Sequence, residues 1–546
     1  MMLSLKNFEV RSETELTRWI NDDIKPIEAG RRTWGFWTFN NYWILINSNI
    51  STYLTGSSLI ALGLTWWQAL ISIIVGNSLA TLFVVLNSVP GAYYHIGYPV
   101  VNRYVWGMYG SQFVIWNRIL LSLVWYGFQS WVGGECLYVC LLALSPSLEK
   151  HIPNHMPAST GMTTAQFVAY IIFCLISLPV IWIRPHKLKK FFYASSATII
   201  VFEIVLLIWA LATMGPEGFG DTISAKSSTD SSSSWLMAYG IISTIGSISA
   251  GILNQNDYAR FARRPKDAIL GQVFSFPLYG ISCSVVGILV TAATQQRFGG
   301  AIWNPPDIFS TLIENGGSRE RAAGFFAGAA LVVSQIGVNV PGNALSGGFD
   351  FAATFPKYIN IRRGAYLTAA LSVACNPWRL VNTATVFISV LGSYSVFLGP
   401  MTGMMISSYF VVNKSKINVD HLYIGNRGSI YWYTWGVNWR GIVAWICGVG
   451  PSMPGFLASV DTSISVPTPL IHLYYICFLV GFCISAAVFC LLHYTFPASE
   501  VMDFIDSNSA KSLMTDYQDR WDGEVSNTTD GVDKNARIAA VEVNVS

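Results

Sequence analysis

Charge is scarce in this chain. Only 12% of its 546 residues are Asp, Glu, Lys or Arg, about half the share in an ordinary globular domain. The formal net charge of +3 is too small to mark a nucleic-acid partner. Nine cysteines (Cys136, Cys140, Cys174, Cys283, Cys375, Cys447, Cys477, Cys483 and Cys490) all lie in apolar stretches and form no C-x-x-C pair. That argues against a zinc site or a disulfide framework. The seven histidines make no metal-like cluster, and no H-E-x-x-H motif or pair of catalytic acids occurs, so the chain is not expected to be an enzyme. No ring-forming charge motif or repeated filter sequence points to a channel. Residues 1–33 are polar and of mixed charge, not a basic segment followed by a short apolar one, so no cleaved signal peptide is expected.

What the chain has is apolar length. Twelve mostly apolar stretches run over roughly 35–59, 66–88, 111–144, 164–183, 192–214, 235–256, 268–294, 322–345, 365–380, 384–411, 440–458 and 470–496. A segment of about 20 such residues crosses a bilayer. The expected class is therefore an all-α polytopic membrane protein with twelve transmembrane helices. Even-numbered gaps carry Arg103; Arg184, Lys187, Lys189 and Lys190; Arg260, Arg263, Arg264 and Lys266; Lys357, Arg362 and Arg363; Lys414, Lys416 and Arg427. Odd-numbered gaps are poorer in cations. An excess of Lys and Arg on cytoplasmic loops places the even gaps and both termini in the cytoplasm.

This divides the chain into a cytoplasmic tail 1–33, a twelve-helix domain 34–496 and a cytoplasmic tail 497–546. Both tails are expected to be mobile, because residues 500–546 have few large apolar side chains with which to build a core. The Gly/Ser/Thr/Asp segment 218–234 reads as a flexible external loop. Asn527-Thr528-Thr529 fits a glycosylation sequon, which a cytoplasmic tail would keep from being used. Lys6, Lys25, Lys511 and Lys534 are candidate sites for ubiquitination or trafficking machinery.

Several spans hold more polarity than lipid-facing packing requires. The first contains Asn40-Asn41 and Asn47-Ser48-Asn49-Ile50-Ser51-Thr52. Its polar groups would be stranded in hydrocarbon unless the helix is interrupted and lines a cavity, or unless they bond neighbouring helices. The sixth, Ser247-Ile248-Ser249-Ala250-Gly251-Ile252-Leu253-Asn254-Gln255-Asn256-Asp257, has the same character. Paired discontinuous helices in corresponding halves point to a transporter's midplane site.

In the third span Trp125 and Gln129 are four apart and share a helical face. A ring beside an amide can stack on a planar heterocycle and bond its edge; an interfacial Trp with Gln bonding a neighbouring helix fits as well. Asn339 and Asn343 share a face around Pro341-Gly342 in the eighth span, where freed backbone could meet a ligand or the helix could simply kink. Glu135, six residues past Gln129, is an acid inside a span and hence a candidate to carry a proton; a hydrated acid without a role is the alternative. Glu203 in the fifth span is of the same kind. Asp257 is expected at the cytoplasmic end, paired with Arg260 or Arg263.

Taken in order, a further set of strings is specific: Arg32-Thr33-Trp34-Gly35-Phe36-Trp37, Asn87-Ser88-Val89-Pro90-Gly91, Gly97-Tyr98-Pro99-Val100, Trp125 through Gly134, Asn254 through Phe261, Pro356 through Gly364, and Val437-Asn438-Trp439-Arg440. Over roughly residues 25–496 the chain resembles the nucleobase–cation symporter-1 family, in its fungal uracil/uridine/allantoin permease branch. The resemblance implies an inverted five-plus-five helix repeat (LeuT-type) plus two C-terminal helices, with alternating access around a central site. It implies a plasma-membrane permease importing a nucleobase-like planar solute by proton symport, with no cofactor beyond that ion.

In the family the third-helix Trp and Gln stack on and hydrogen-bond the heterocycle, and they match Trp125 and Gln129. The eighth-helix Asn that bonds substrate matches Asn343, with Asn339 one turn before it. Asn49 and Ser249 complete the expected substrate-binding set, and Glu135 is the expected proton-coupling group. Sodium-coupled bacterial members carry hydroxyl residues where this chain has Gly337 and Val338, which favours the proton. Uracil-selective fungal members carry a sixth-helix Lys that is missing around Ile248 and Ser249. That leaves uracil, allantoin and uridine open, with a thiamine-type vitamin transporter or a transport-dead nutrient receptor as alternatives.

Overall fold

The structure, a computed structural model, describes residues 9–10, 17–183, 189–215, 218–219, 231–461 and 463–507. Arg184, Lys187, Lys6, Lys511, Lys534, Asn527-Thr528-Thr529 and most of the segment 218–234 lie outside the described residues. All named elements are helical. Among the described residues, ten helices are long and apolar enough to cross a membrane.

The first predicted span is two helices, α1 (Phe36–Asn47) and α2 (Ile50–Ala61). Asn49 makes the break. Its backbone is extended (φ −156°, ψ 170°), and its side chain accepts the Thr52 N–H at 3.2 Å. This is the N-cap role for which Asn is favoured. The other asparagines of the span bond the helix alongside: Asn47 Nδ2 donates to Phe276 O at 2.8 Å, and Asn40 Nδ2 donates to Ser275 Oγ at 2.8 Å.

After α3 (Trp66–Tyr94) and the short buried α4 (Tyr98–Trp106) come α5 (Gly110–Leu144), α6 (Thr164–Trp182), α7 (Lys189–Ala212) and α8 (Ser231–Leu253). The sixth predicted span is not interrupted at its Ser/Gly run, which forms the regular end of α8. The helix stops at Leu253, and the chain turns through Asn254-Gln255 into α9 (Asn256–Ala259). Hydroxyls that bond back to their own helix remove the need for a break: Ser247 Oγ donates to Thr244 O, and Ser249 Oγ to Gly246 O.

Next are α10 (Pro265–Phe298), α11 (Pro305–Asn315) and α12 (Ser318–Asn339). A π-turn over Val340–Ala344 then leads into α13 (Leu345–Thr354). Pro341 therefore widens the helix and does not end it, and the eighth span runs nine residues past its predicted end. The ninth is α14 (Ile361–Leu371) followed by 3-10 turns around Asn376, which is left-handed (φ 48°). Then follow α15 (Ala384–Ser407), α16 (Trp439–Val449), α17 (Met453–Val460), α18 (Thr468–Tyr475), α19 (Cys477–Thr495) and α20 (Ser499–Asp506).

The expectation of two mobile tails is corrected at both inner edges. Residues 17–28 lie on the bundle end that carries Arg103 and Arg260. Trp19, Ile24 and Ile27 are buried there, and Arg103 donates to Trp19 O at 3.0 Å and to Leu422 O at 2.8 Å. Asp23 accepts the Ile361 N–H at 3.2 Å, and burial pushes its carboxyl above the usual carboxylate range. Lys25 is ion-paired to Glu28 at 2.8 Å. At the other edge α20 buries Val501 and Ile505, and Lys416 Nζ donates to Ile505 O at 2.5 Å. The polar composition of both segments hid a few well-spaced apolar anchors.

Between α2 and α10 the packing leaves no room for a methyl. A Cβ on Gly56 would stand 2.1 Å from Ser284 O, and one on Gly287 would stand 2.4 Å from Tyr53 O. Small residues let membrane helices approach backbone to backbone. Gly56→Ala should cost about 1–3 kcal/mol through overpacking, read as a lower unfolding temperature and a weaker surface signal. Unchanged values in both would show that α2 and α10 are less tightly fixed than described.

Candidate functional site

The polar residues of the first, third and eighth spans meet at the helix break. Gln129 is 3% exposed, and its Nε2 donates to Ser51 Oγ at 3.0 Å. Ser51 in turn donates to Asn49 Oδ1 at 2.5 Å. Gln129 Oε1 is buried and has no hydrogen-bond partner. On the neighbouring face of α5, Asn339 Nδ2 donates to Tyr126 O at 3.2 Å and to Ser130 Oγ at 2.9 Å, while its Oδ1 accepts Asn343 Nδ2 at 2.9 Å.

Trp125 is half-buried. Its ring meets Phe128 and Tyr394 edge-on, with centroids 5.3 and 6.3 Å apart. Tyr394 bonds Gly246 O at 2.9 Å, which ties α15 to α8 at this level.

A cavity of about 40 Å³ adjoins the break, lined among others by Asn47, Ser51, Thr52, Ser247 and Ile248. It has room for a few waters and none for a nucleobase. Of the expected set, Trp125, Gln129, Asn49, Asn339 and Asn343 gather around α1, α2, α5 and the π-turn. Ser249 does not join them: it is fully buried with its hydroxyl on Gly246 O, and Ser247 and Ile248 face the cavity in its place.

Glu135 stands farther along α5. Its Oε1 accepts Trp131 Nε1 at 3.1 Å, and its Oε2 accepts Asn304 Nδ2 at 3.3 Å. The same nitrogen donates to Asp307 Oδ2 at 3.2 Å, so two carboxylates share one amide. The sequence reading missed Asp307, which the break in apolar character after α10 separates from any span.

It also missed an ion pair at the opposite end of α5. Arg118 Nε lies 3.2 Å from Asp350 Oδ2, with side chains only 4% and 0% exposed. Arg118 inside the third span was the available signal; Asp350 in α13 lies past the predicted end of the eighth. Asp257, also buried, accepts the Tyr98 N–H at 2.9 Å. Arg260 donates to its backbone carbonyl at 3.2 Å, and among the described ion pairs the expected one between the Asp257 carboxylate and Arg260 or Arg263 is not made.

The family model described as a permease for cytosine/purines, uracil, thiamine and allantoin matches residues 26–481. The allantoin permease of Saccharomyces cerevisiae is 33% identical over 515 residues, covering 92% of this chain and 81% of that one. The uracil permease of the same yeast is 33% identical over 483 residues, covering 87% and 76%. The structure of Mhp1, a nucleobase-cation-symport-1 family transporter in a closed conformation with bromovinylhydantoin bound, superposes with a TM-score of 0.68. That match has 20% identity and covers 91% of this chain and all of Mhp1. The likeness shows the shared fold. The chain is a multi-pass membrane protein, and it belongs to the nucleobase–cation symporter-1 family of permeases, in the branch of the fungal allantoin, uracil and uridine transporters.

Proposed function

We propose that this permease imports a planar nucleobase-like solute of the uracil, allantoin or uridine kind across the plasma membrane by proton symport, with both termini in the cytoplasm. The observation that carries the reading is Gln129. Its amide sits at the helix break with one end held by Ser51 and the other, Oε1, buried and unpaired. A buried acceptor without a donor is costly, and an N–H on a heterocycle edge would satisfy it. Trp125 offers the stacking face, and Asn343, held by Asn339, supplies a second amide.

Gly337 and Val338 contribute no side-chain oxygen to α12 at this level, which favours the proton over sodium. Glu135, with Asp307 on the same Asn304 amide, is the group that takes up the proton at the end opposite the basic loops. Substrate and proton must together favour the occluded state more than either alone.

The test is competitive uptake in a yeast lacking its own permeases. Labelled uracil is challenged with excess allantoin, uridine, uric acid and thiamine at acid and neutral pH. Uptake that rises with acidity, collapses with a protonophore and is blocked by one competitor supports the reading and names the solute. A surface-expressed protein that imports none of these would replace it with the receptor reading.

A further inference from the structure

The cavity beside the break has a one-sided wall. Ser51, Thr55, Thr244, Ser247 and Ser284 line it, and each has already committed its hydroxyl proton. Thr55 donates to Ser51 O at 2.9 Å, Thr244 to Gly240 O at 2.8 Å, Ser247 to Thr244 O at 2.7 Å and Ser284 to Thr52 O at 3.0 Å. Ser51 gives its proton to Asn49 Oδ1. A hydroxyl has one proton and two lone pairs, so these groups have acceptors left to offer. Thr52, also on the wall, enters the described hydrogen bonds only through its main chain and keeps its hydroxyl proton. The lining amides of Asn47 and Asn77 each commit one N–H to a main-chain carbonyl, at 2.8 and 3.0 Å. Lone pairs outnumber free protons here.

No Asp, Glu, Lys, Arg or His is among the lining residues. An ion would be buried without a counter-charge, which is costly. The fitting guest is therefore neutral and rich in N–H. At about 40 Å³, the space takes a group with the bulk of a few waters and not a ring. It also adjoins the residues expected to hold the ring. Ser51 Oγ accepts Gln129 Nε2 at 3.0 Å. Ile46, another lining residue, lies against Gly342 beside Asn343, where a Cβ would stand 3.4 Å from Ile46 Cδ1.

We propose that this cavity is a subsite for a neutral, N–H-rich substituent on the transported ring, of which a ureido group is the best match. The inference rests on the reading of the chain as an importer of planar solutes and narrows its substrate class. With the ring on Gln129, the substituent lies past Ser51 among the hydroxyls of α2, α8 and α10. A ureido group has N–H on both nitrogens for the lone pairs and a carbonyl for the Thr52 proton. A solute without such a group leaves the cavity to water and gains nothing from it. Allantoin is hydantoin bearing a ureido group, so comparing the two isolates the contribution of the subsite.

The experiment uses the full-length protein in the permease-deficient yeast and whichever of labelled uracil or allantoin the wild type imports. Wild type, Thr244→Val and Ser247→Ala are compared for surface signal and for inhibition of uptake by allantoin, hydantoin and uracil. Both hydroxyls bond back to their own helix, so neither ties α8 to a neighbour. Thr244 packs against Gly76, where a Cβ would stand 2.6 Å from its own, and Val keeps that shape. In the wild type, allantoin should inhibit at least about tenfold better than hydantoin. Each variant should weaken allantoin by about fivefold or more, because a donor loses its acceptor, and leave hydantoin and uracil unchanged.

A wild type that binds hydantoin as tightly as allantoin overturns the inference whatever the variants do. An unchanged allantoin-to-hydantoin ratio in the variants that reach the surface does the same and leaves water as the occupant of the cavity. A surface-expressed wild type that imports neither label removes the planar-solute reading and this inference together. Uptake without a preference for allantoin over hydantoin removes this inference alone.

Discussion

Arg118→Ala should leave the protein largely absent from the cell surface. The guanidinium and the Asp350 carboxylate face each other at 3.2 Å between α5 and α13, both screened from solvent. Removing one member of a buried pair strands the other as an uncompensated charge, which costs about 3–5 kcal/mol. The acidic Asp257 lies close enough to act on Arg118 electrostatically, so Arg118 balances more than one carboxylate. Asp350→Ala should be harmful for the mirrored reason.

The double replacement Arg118→Met with Asp350→Leu removes both charges and fills the space, so it should recover much of the lost stability. Surface fluorescence and the unfolding temperature of the detergent-extracted protein give the comparison. Single variants as stable as the parent would mean that water or lipid headgroups already solvate the pair.

Gln129→Ala should weaken uptake affinity by roughly 5- to 150-fold, the equivalent of about 1–3 kcal/mol for a polar edge of substrate left unpaired. The loss should grow with the number of N–H and C=O groups on the solute edge. Trp125→Ala should weaken every planar substrate, because stacking depends on the ring face and not on the pattern of donors. Ser51→Ala tests the geometry from the other side: it frees Gln129 Nε2, which Ser51 now holds at 3.0 Å, and should alter selectivity more than maximal rate. An unaltered affinity for every solute in Gln129→Ala would remove that residue from the site.

The sequence made the spans legible because hydrocarbon permits so few alternatives. A 20-residue apolar run with charge only at its edges has one reading. The break at Asn49 was legible too, since four asparagines in one span demand an explanation. Which explanation applied to each was not: Asn49 caps a helix, whereas Asn40 and Asn47 tie it to α10. The matching break expected within the sixth span fell at Asn254-Gln255, because the serines before it satisfy themselves on their own helix.

Ser249 was misplaced for the same reason, as composition does not say which face of α8 looks at the cavity. The packed segment 17–28 was hidden by its charge content, since three buried side chains suffice to anchor it. Arg118 and Asp350 lie 232 positions apart in sequence, and no local pattern joins them.

The small cavity beside the break has a consequence for how measured constants are read. If substrate is held beside the break, the cavity's roughly 40 Å³ has to widen to accept a nucleobase, and this conformation and the binding one would be members of an equilibrium. An affinity measured over the whole population equals the intrinsic affinity scaled by the fraction of molecules that are open. A substitution that only shifts this fraction multiplies the constants of all substrates by one factor. A substitution at Gln129 changes the ratios among them. A single weakened constant therefore identifies neither, and the pattern across a panel of heterocycles separates a residue that touches substrate from one that sets how often the door is open.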